Sequence, residues 1–183
     1  MKILITGSAG FIGFHTAKLF LRKGYQVLGI DNLNNYYNVN LKKARIHELK
    51  KWNNFFFKKI DINSSKKLKD VFKRNKFSLV IHLAAQAGVR YSLTNPKAYI
   101  QTNLVGFFNI IENCKNSRIK NFIYASSSSI YGDNKNKYFK ESDTASTPIQ
   151  LYAATKRSNE LMAHAYGSLF KIKTIGMRFF TVY

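Results

Sequence analysis

The sequence predicts an α/β protein built as a doubly wound parallel sheet with helices on both faces. Short runs of β-forming apolar residues alternate with helical patterns along the whole chain, without an internal repeat or linker. Several of these runs are almost continuously apolar, as is typical of parallel strands covered on both faces. With 183 residues and 45% hydrophobic composition, the chain can bury a sizeable core and is most simply one domain, residues 1–183.

The first element is a strand, a glycine turn and a helix. Ile3 to Ile5 form the strand, and a helical pattern begins at Phe11. Gly7 permits the turn, Gly10 lets backbone approach a pyrophosphate, and Gly13 lets the helix pack on the strand. The free N–H groups at the helix start attract an anion. Glycines also mark plain strand-to-helix turns, but an acidic residue one strand later favours a dinucleotide site.

That acidic residue is Asp31, at the carboxyl end of a second strand over residues 25–30. A carboxylate there can accept hydrogen bonds from both hydroxyls of the adenosine ribose and repels a 2′-phosphate. The predicted cofactor is therefore NAD rather than NADP. A polar loop over 32–40 and a basic helix over 41–52 follow.

The elements after this loop continue the alternation. A strand over 55–60 leads to Asp61, which either meets the adenine amine or serves as a turn residue. Ser64 or Ser65 can cap the next helix, and His82 lies inside an apolar strand, where we expect a core histidine. Small side chains over 84–88 leave room for a cofactor. We further predict a helix over 66–75, a strand over 77–83, a helix over 96–114, a strand over 121–125, a loop over 133–148, a helix over 151–170 and a strand over 172–177.

The composition limits the classes of partner. The net charge of +21 suggests nucleic acid as a possible binding partner. The lysines are scattered in pairs, however, which favours a compositional bias over a binding patch. The positive field can steer an anionic substrate. No run of eighteen apolar residues predicts a membrane helix, and no signal peptide is recognised, so we expect a cytoplasmic protein. The single cysteine, Cys114, is predicted to be an inert packing thiol.

Two polar clusters are predicted at the carboxyl edge of the sheet, where open α/β folds bind ligands. The first is the serine run 126–129, and the second holds Tyr152 and Lys156, which share a helix face. An ammonium beside a phenol favours the phenolate, so we expect Lys156 to lower the tyrosine pKa from about 10. A Tyr-x-x-x-Lys pattern alone is common on solvated helices, but its position after the glycine turn, Asp31 and the serines indicates a catalytic base.

The whole chain resembles the N-terminal part of the extended short-chain dehydrogenases/reductases, which include the NAD-dependent sugar-nucleotide epimerases and dehydratases. The stretches IDNLNNYYNVNLKKAR, HLAAQAGVRYSL, YASSSSIYG, LYAATKRSNELMAHAY and RFFTVY resemble, within that family, the UDP-glucuronate 4-epimerases. The resemblance implies a Rossmann-like fold, a homodimer in the full-length family, and transient oxidation of a UDP-sugar at carbon 4, most simply converting UDP-glucuronate to UDP-galacturonate. The alternatives are another UDP-hexose 4-epimerase, a dehydratase, or an NAD-binding module without turnover.

The resemblance also implies roles for individual residues. Tyr152 becomes the base, Lys156 binds the nicotinamide ribose and depresses the pKa of Tyr152, and Ser127, or alternatively Ser129, hydrogen-bonds the substrate. The implied substrate residues are Arg90, Ser127 and Thr181, and no metal is expected. The cofactor set is Gly7, Gly10, Phe11, Ile12, Gly13, Asp31, Asn32, Asp61, Ile62, Leu83, Ala84, Ala85, Thr102, Tyr152 and Lys156.

Three details refine this expectation. The dehydratases carry an Asp-Glu pair where this chain has two serines, at 128 and 129, which argues against dehydration. Arg90 can pair with the 5-carboxylate of a uronate, or it can contact cofactor phosphate or the loop around Tyr91. Members of the family continue beyond the RFFTVY stretch into a smaller substrate domain, whereas this chain stops at Tyr183, so we expect a truncated enzyme or a fragment.

Overall fold

A computed structural model describes residues 1–134 and 138–183 of the chain. Its centre is a six-stranded parallel sheet with the order β3-β2-β1-β4-β5-β6. The chain starts in the middle of the sheet, builds outwards to β3, and returns to the other side of β1 with β4. This reversal is the switch point at which doubly wound folds bind ligands. The strands are β1 (Lys2–Thr6), β2 (Gln26–Asp31), β3 (Phe55–Lys59), β4 (Leu79–His82), β5 (Asn121–Ser127) and β6 (Lys173–Phe179).

The helices cover both faces of this sheet, as predicted. They are α1 (Phe11–Arg22), α2 (Val39–Lys50), α3 (Ser65–Lys73), α4 (Tyr91–Thr94), α5 (Pro96–Tyr99), α6 (Phe107–Asn116) and α7 (Leu151–Phe170). A π-helical segment, Ile100–Gly106, joins α5 to α6, and a short 3₁₀ turn, Ser128–Tyr131, follows β5. The helix predicted over 96–114 is therefore interrupted by a π-helical stretch, a feature often found at functional sites.

Alternate side chains of β1 face opposite layers of the core. Leu4 belongs to the cluster beneath α3, α6 and α7, whereas Ile3 and Ile5 belong to the cluster beneath α1 and α2. All three are fully buried. This two-sided burial explains the almost continuously apolar strands in the sequence.

Two predicted core residues lie where they were expected. Cys114 is buried, and its burial raises the pKa of the thiol, as suits an inert packing residue. His82 is also buried, its Nδ1 lies 2.8 Å from the hydroxyl of Thr6, and burial lowers its pKa to about 3. The histidine is therefore a neutral member of the core.

Other boundaries differ from the prediction. Strand β5 runs two residues past the predicted end, because its pairing with β6 continues to Ser127 and Phe179. The predicted side-chain cap of α3 is wrong, since Ser64 occupies the N-cap position without making a capping hydrogen bond. The described parts of the predicted 133–148 loop contain no helix or strand, and residues 135–137 lie outside the described residues. Within those described residues, no helix is long and apolar enough to cross a membrane.

Candidate active site

The glycine turn between β1 and α1 is packed too closely for side chains at two of its positions. Gly7 has a φ of 71°, and a Cβ there would lie 2.7 Å from the backbone nitrogen of Ala84. A Cβ on Gly13 would lie 2.1 Å from the carbonyl oxygen of Gly7. These contacts press the start of α1 against the carboxyl end of the sheet. The sequence assigned these glycines correctly to a close turn.

The helix start itself stays open to an anion. Gly10 is the N-cap residue and supplies no side-chain cap, and the first turn of α1 holds no acidic residue. The first N–H groups of a helix have no partner within it and carry partial positive charge. Phe11 and Ile12 stand at this position and line the adjoining cavity. The turn therefore fits the pyrophosphate predicted from the sequence.

A cavity of ≈ 460 Å³ lies along the carboxyl edge of the sheet, beside this helix start. Its size falls within the usual range for small-molecule sites. Twelve predicted cofactor residues line it, and they come from five separate segments of the chain. They are Gly7, Gly10, Phe11, Ile12, Gly13, Asp31, Asn32, Ile62, Leu83, Ala84, Ala85 and Thr102.

Asp31 is fixed at the edge of this cavity by two backbone groups. Its Oδ2 accepts a hydrogen bond of 3.1 Å from the Ala9 N–H, and its Oδ1 accepts one of 2.8 Å from the Leu33 N–H. Each carboxylate oxygen has a second lone pair. The residue can therefore hold the two loops together and still accept hydrogen bonds from ribose hydroxyls.

The structure favours one of the two roles left open for Asp61. Its Oδ1 accepts from the Asn63 N–H at 2.8 Å, which is the geometry of a turn residue. Its Oδ2 accepts from the side-chain amide of Asn32 at 2.9 Å. Asp61 does not line the cavity, although Ile60 and Ile62 do. Its direct effect is to hold Asn32 in the cavity wall.

Sequence reasoning missed two cations in the same wall. Lys42 is only 5% exposed and donates to the carbonyl oxygen of Asn34 at 2.9 Å, with its ammonium 4.4 Å from the ring centre of Tyr37. Arg45 donates to the hydroxyl of Tyr37 at 3.2 Å. Burial lowers the pKa of Lys42. The only sequence signal was a spacing of three on α2, which is not distinctive in a helix so rich in lysine.

The second predicted cluster lies where β5 meets α7. Lys156 is 3% exposed, and its ammonium donates to the carbonyl oxygen of Ala125 at 2.9 Å. Burial lowers its pKa to about 8. Ser127 accepts a hydrogen bond of 3.2 Å from the Ser129 N–H, and their hydroxyl oxygens lie 3.1 Å apart. Both candidate serines therefore occupy the same small region.

The predicted pKa shift of Tyr152 is not found in the ligand-free protein. Burial raises its pKa, and a hydrogen bond with Ser127 acts in the opposite direction. Lys156 is not among the groups that shift this pKa, and its ammonium donates to the Ala125 carbonyl oxygen. Tyr36, a residue of the cavity wall, is close enough to Tyr152 to raise its pKa further. The tyrosine thus lies next to the cavity and is neutral in this state.

Two predicted substrate residues lie apart from these clusters. Arg90 is exposed at the N-terminal end of α4, and Thr181 is exposed beyond the end of β6. Neither lines the cavity, although Val182 does. Their assignment to the substrate remains a prediction.

The fold and these two clusters define a dinucleotide-binding α/β domain with a Ser-Tyr-Lys set. A model of one family matches residues 3–183, and the chain belongs to that family: the NAD dependent epimerase/dehydratase family. This confirms the resemblance and the fold class read from the sequence.

Individual relatives and solved structures agree with this assignment. The chain is 52% identical to Protein CapI of Staphylococcus aureus over 183 residues, covering 100% of this chain and 54% of that protein. It is 49% identical to a probable UDP-glucuronate 4-epimerase of Rhizobium meliloti, again with 100% and 54% coverage. A UDP-glucuronic acid 4-epimerase from Bacillus cereus, solved with UDP-glucuronic acid and NAD, superposes with a TM-score of 0.88 at 35% identity, covering 100% of this chain and 57% of that one.

A further solved structure has a different sugar in its name. The UDP-glucose 4-epimerase of Brucella ovis, in complex with NAD, gives a TM-score of 0.86 at 29% identity, covering 98% of this chain and 52% of that one. The chain spans about half the length of the curated relatives that it matches.

Proposed function

We propose that this chain binds NAD and supports the 4-epimerisation of a UDP-sugar, with UDP-glucuronate and UDP-galacturonate as the interconverted pair. The observation that carries the proposal is the meeting of two clusters at one sheet edge. The glycine turn and Asp31 line a cavity of ≈ 460 Å³, and the second cluster meets the same cavity at Ala125, whose carbonyl oxygen accepts a hydrogen bond of 2.9 Å from Lys156. Family membership and the relatives' names support the same reaction class.

The residues present fit a dinucleotide at three places. The open N–H groups at the start of α1 suit the pyrophosphate, and the fixed carboxylate of Asp31 suits the adenosine ribose. Ala84 and Ala85 leave the cavity wall beyond the glycine turn without bulky side chains. When bound, NAD supplies a hydride acceptor that is regenerated in each cycle.

The chain's own residues handle the proton at the sugar's 4-hydroxyl. Tyr152 is the proposed base, so its phenol must ionise, and each unit by which its pKa falls requires about 1.4 kcal/mol of differential stabilisation. Lys156, a buried ammonium one helical turn away, is the proposed source of that stabilisation. Ser127 is the proposed donor to the substrate oxygen, and Ser129 can take its place because their hydroxyls are 3.1 Å apart.

The choice of UDP-glucuronate rests on two supports. Relatives with this activity in their names are 42% to 49% identical to the chain, and the B. cereus enzyme was solved with UDP-glucuronic acid. Arg90 remains the proposed partner of the 5-carboxylate, since a guanidinium pairs well with a carboxylate. A neutral UDP-hexose is the second candidate, because the B. ovis structure is also closely similar.

The test starts with cofactor binding by this chain. Calorimetric titration with NAD and with NADP should show tighter binding of NAD, because of Asp31. The chain should then be offered UDP-glucuronate, UDP-glucose and UDP-N-acetylglucosamine in separate reactions. Absence of NAD binding would overturn the proposal. NAD binding without any turnover would identify a binding module, and preference for a neutral sugar would refute the uronate assignment.

The role of Tyr152 needs a matched pair of variants. Tyr152→Phe should bind NAD normally and lose turnover, because only the ionisable hydroxyl is removed. Tyr25→Phe, which removes a hydroxyl at the far end of the sheet, should leave both properties unchanged. Turnover close to that of the unaltered chain in Tyr152→Phe would remove the tyrosine from the role of base.

A further inference from the structure

One face of α7 meets the end of β5 with one side chain per helical turn. Tyr152, Lys156 and Glu160 are spaced four residues apart, which places them on the same face. The first two reach Ser127 and Ala125, as described above. Glu160 has no role in the proposed chemistry, yet it contacts Ser126, which lies between Ala125 and Ser127 in β5.

Glu160 accepts a hydrogen bond of 2.7 Å from the hydroxyl of Ser126. The same carboxylate receives two hydrogen bonds from Arg178, of 3.0 and 3.1 Å, and one of 2.9 Å from Arg157. Only 11% of its side chain is exposed. Charged hydrogen bonds with this geometry are short and directional, so they fix the position of the carboxylate.

Arg178 ties the carboxylate to the sheet rather than to solvent. It lies on β6 directly opposite Ser126 in the strand register, so both of these partners of Glu160 come from adjacent strands. Arg178 also donates to the hydroxyl of Tyr131 at 3.1 Å and to the carbonyl oxygen of Glu141 at 3.0 Å. The network therefore joins α7, β5, β6 and the segment that follows β5.

We propose that Glu160 is a positioning residue that sets where the hydroxyl of Tyr152 lies relative to Ser127. Glu160 and Tyr152 are separated by about 12 Å along a rigid helix. Thr155 and Asn159 hold this part of α7 to Asn103, whereas Lys156 and Glu160 hold it to β5. The Glu160 contact to Ser126, the residue beside Ser127, therefore helps to set how closely α7 approaches the end of β5. The catalytic importance of the distance between the Tyr152 hydroxyl and Ser127 rests on the proposed function. The distance itself does not depend on that function.

The test uses this chain without any ligand. Tyrosine labelled with ¹³C at Cζ reports hydrogen bonding of its hydroxyl near neutral pH, and Tyr152→Phe assigns the resonance of Tyr152. Ser127→Ala should shift the resonance of Tyr152, because the tyrosine hydroxyl loses a hydrogen-bond partner. In a Glu160→Ala background, the same Ser127→Ala replacement should produce a clearly smaller displacement. A role of Glu160 in stability alone would leave the Ser127-dependent displacement intact.

Three further variants complete the design. Glu160→Gln should restore most of the displacement, since an amide oxygen can still accept from Ser126. Arg157→Ala, which removes a different partner of the same carboxylate, should behave like the unaltered chain. If Glu160→Ala does not fold, Ser126→Ala removes only the contact to β5 and should reduce the displacement.

Two results would overturn the proposal. One is a full Ser127-dependent displacement in folded Glu160→Ala or Ser126→Ala, and the other is no displacement in the unaltered chain. Because no cofactor is added, failure of the chain to bind NAD would refute the proposed function without affecting this outcome.

Discussion

Replacing Asp31→Ala should destabilise the protein even when no cofactor is present. The carboxylate accepts hydrogen bonds from the Ala9 and Leu33 N–H groups, and Ala9 is fully buried. The alanine variant leaves the Ala9 N–H without a partner in a region closed to water. The carboxylate is therefore a structural element as well as the proposed ribose ligand.

The expected magnitude follows from these two bonds. A buried donor left unsatisfied costs about 1–3 kcal/mol. The Leu33 N–H is only partly buried, so water can replace most of its bond. A total loss of about 2–3 kcal/mol is expected, which corresponds to a fall in Tm of about 4–12 °C for a domain of this size. Asp31→Asn should lose less, because its amide oxygen still accepts one of the bonds.

Urea unfolding of the ligand-free chain measures this loss, and calorimetry with NAD and NADP measures the functional effect. Asp31→Asn is the better variant for binding, because more of the local structure survives. This replacement should weaken NAD binding and narrow the preference for NAD over NADP, since the repulsion of a 2′-phosphate is lost. If Asp31→Ala unfolds at the same urea concentration as the unaltered chain, the two backbone bonds do not contribute as argued.

Three other perturbations test separate parts of the structure. Gly13→Ala should cost at least about 2 kcal/mol by urea unfolding, because its Cβ would lie 2.1 Å from the Gly7 carbonyl oxygen; unchanged stability would contradict this packing. Lys42→Met should weaken NAD binding by calorimetry, whereas Lys43→Met, on the exposed side of α2, should not; equal effects would remove Lys42 from the site. The pKa of His82 is about 3 in the folded protein, below its ordinary value of 6.5. The free energy of unfolding therefore has its full value above pH 6.5 and falls by up to about 1.4 kcal/mol per pH unit as the pH drops towards 3. In urea unfolding, His82→Gln should flatten this slope, and an unchanged slope would exclude the histidine as its source.

The sequence was most informative where the backbone itself imposes the residue type. Gly7 and Gly13 occupy positions that exclude a Cβ, and Asp31 ends a strand that the apolar pattern locates to within one residue. Such constraints are local, so a pattern along the chain is enough to recognise them. The cavity wall around the glycine turn could be predicted for the same reason.

The sequence was less informative where the environment of a side chain decides its behaviour. Lys42 and Lys43 are neighbours in a basic helix, and only the packing of α2 shows that Lys42 is buried. The pKa of Tyr152 also depends on packing, because burial outweighs the hydrogen bond from Ser127. The direction taken by the Lys156 ammonium could not be read from its spacing to the tyrosine.

The packing of the glycine turn also has a consequence for the order of events during folding. Gly7 donates to the carbonyl oxygen of Ile30 at 2.8 Å, and the Ala84 N–H donates to the hydroxyl of Thr6 at 3.1 Å. The turn is therefore completed only when β4 pairs with β1, across a separation of more than seventy residues. Contacts so distant in sequence form slowly, because loop closure precedes any gain from pairing. The first 31 residues of a growing chain contain the glycine pattern and Asp31, but the contact of Ala84 with Thr6 beside the turn can form only after residue 84 has been synthesised.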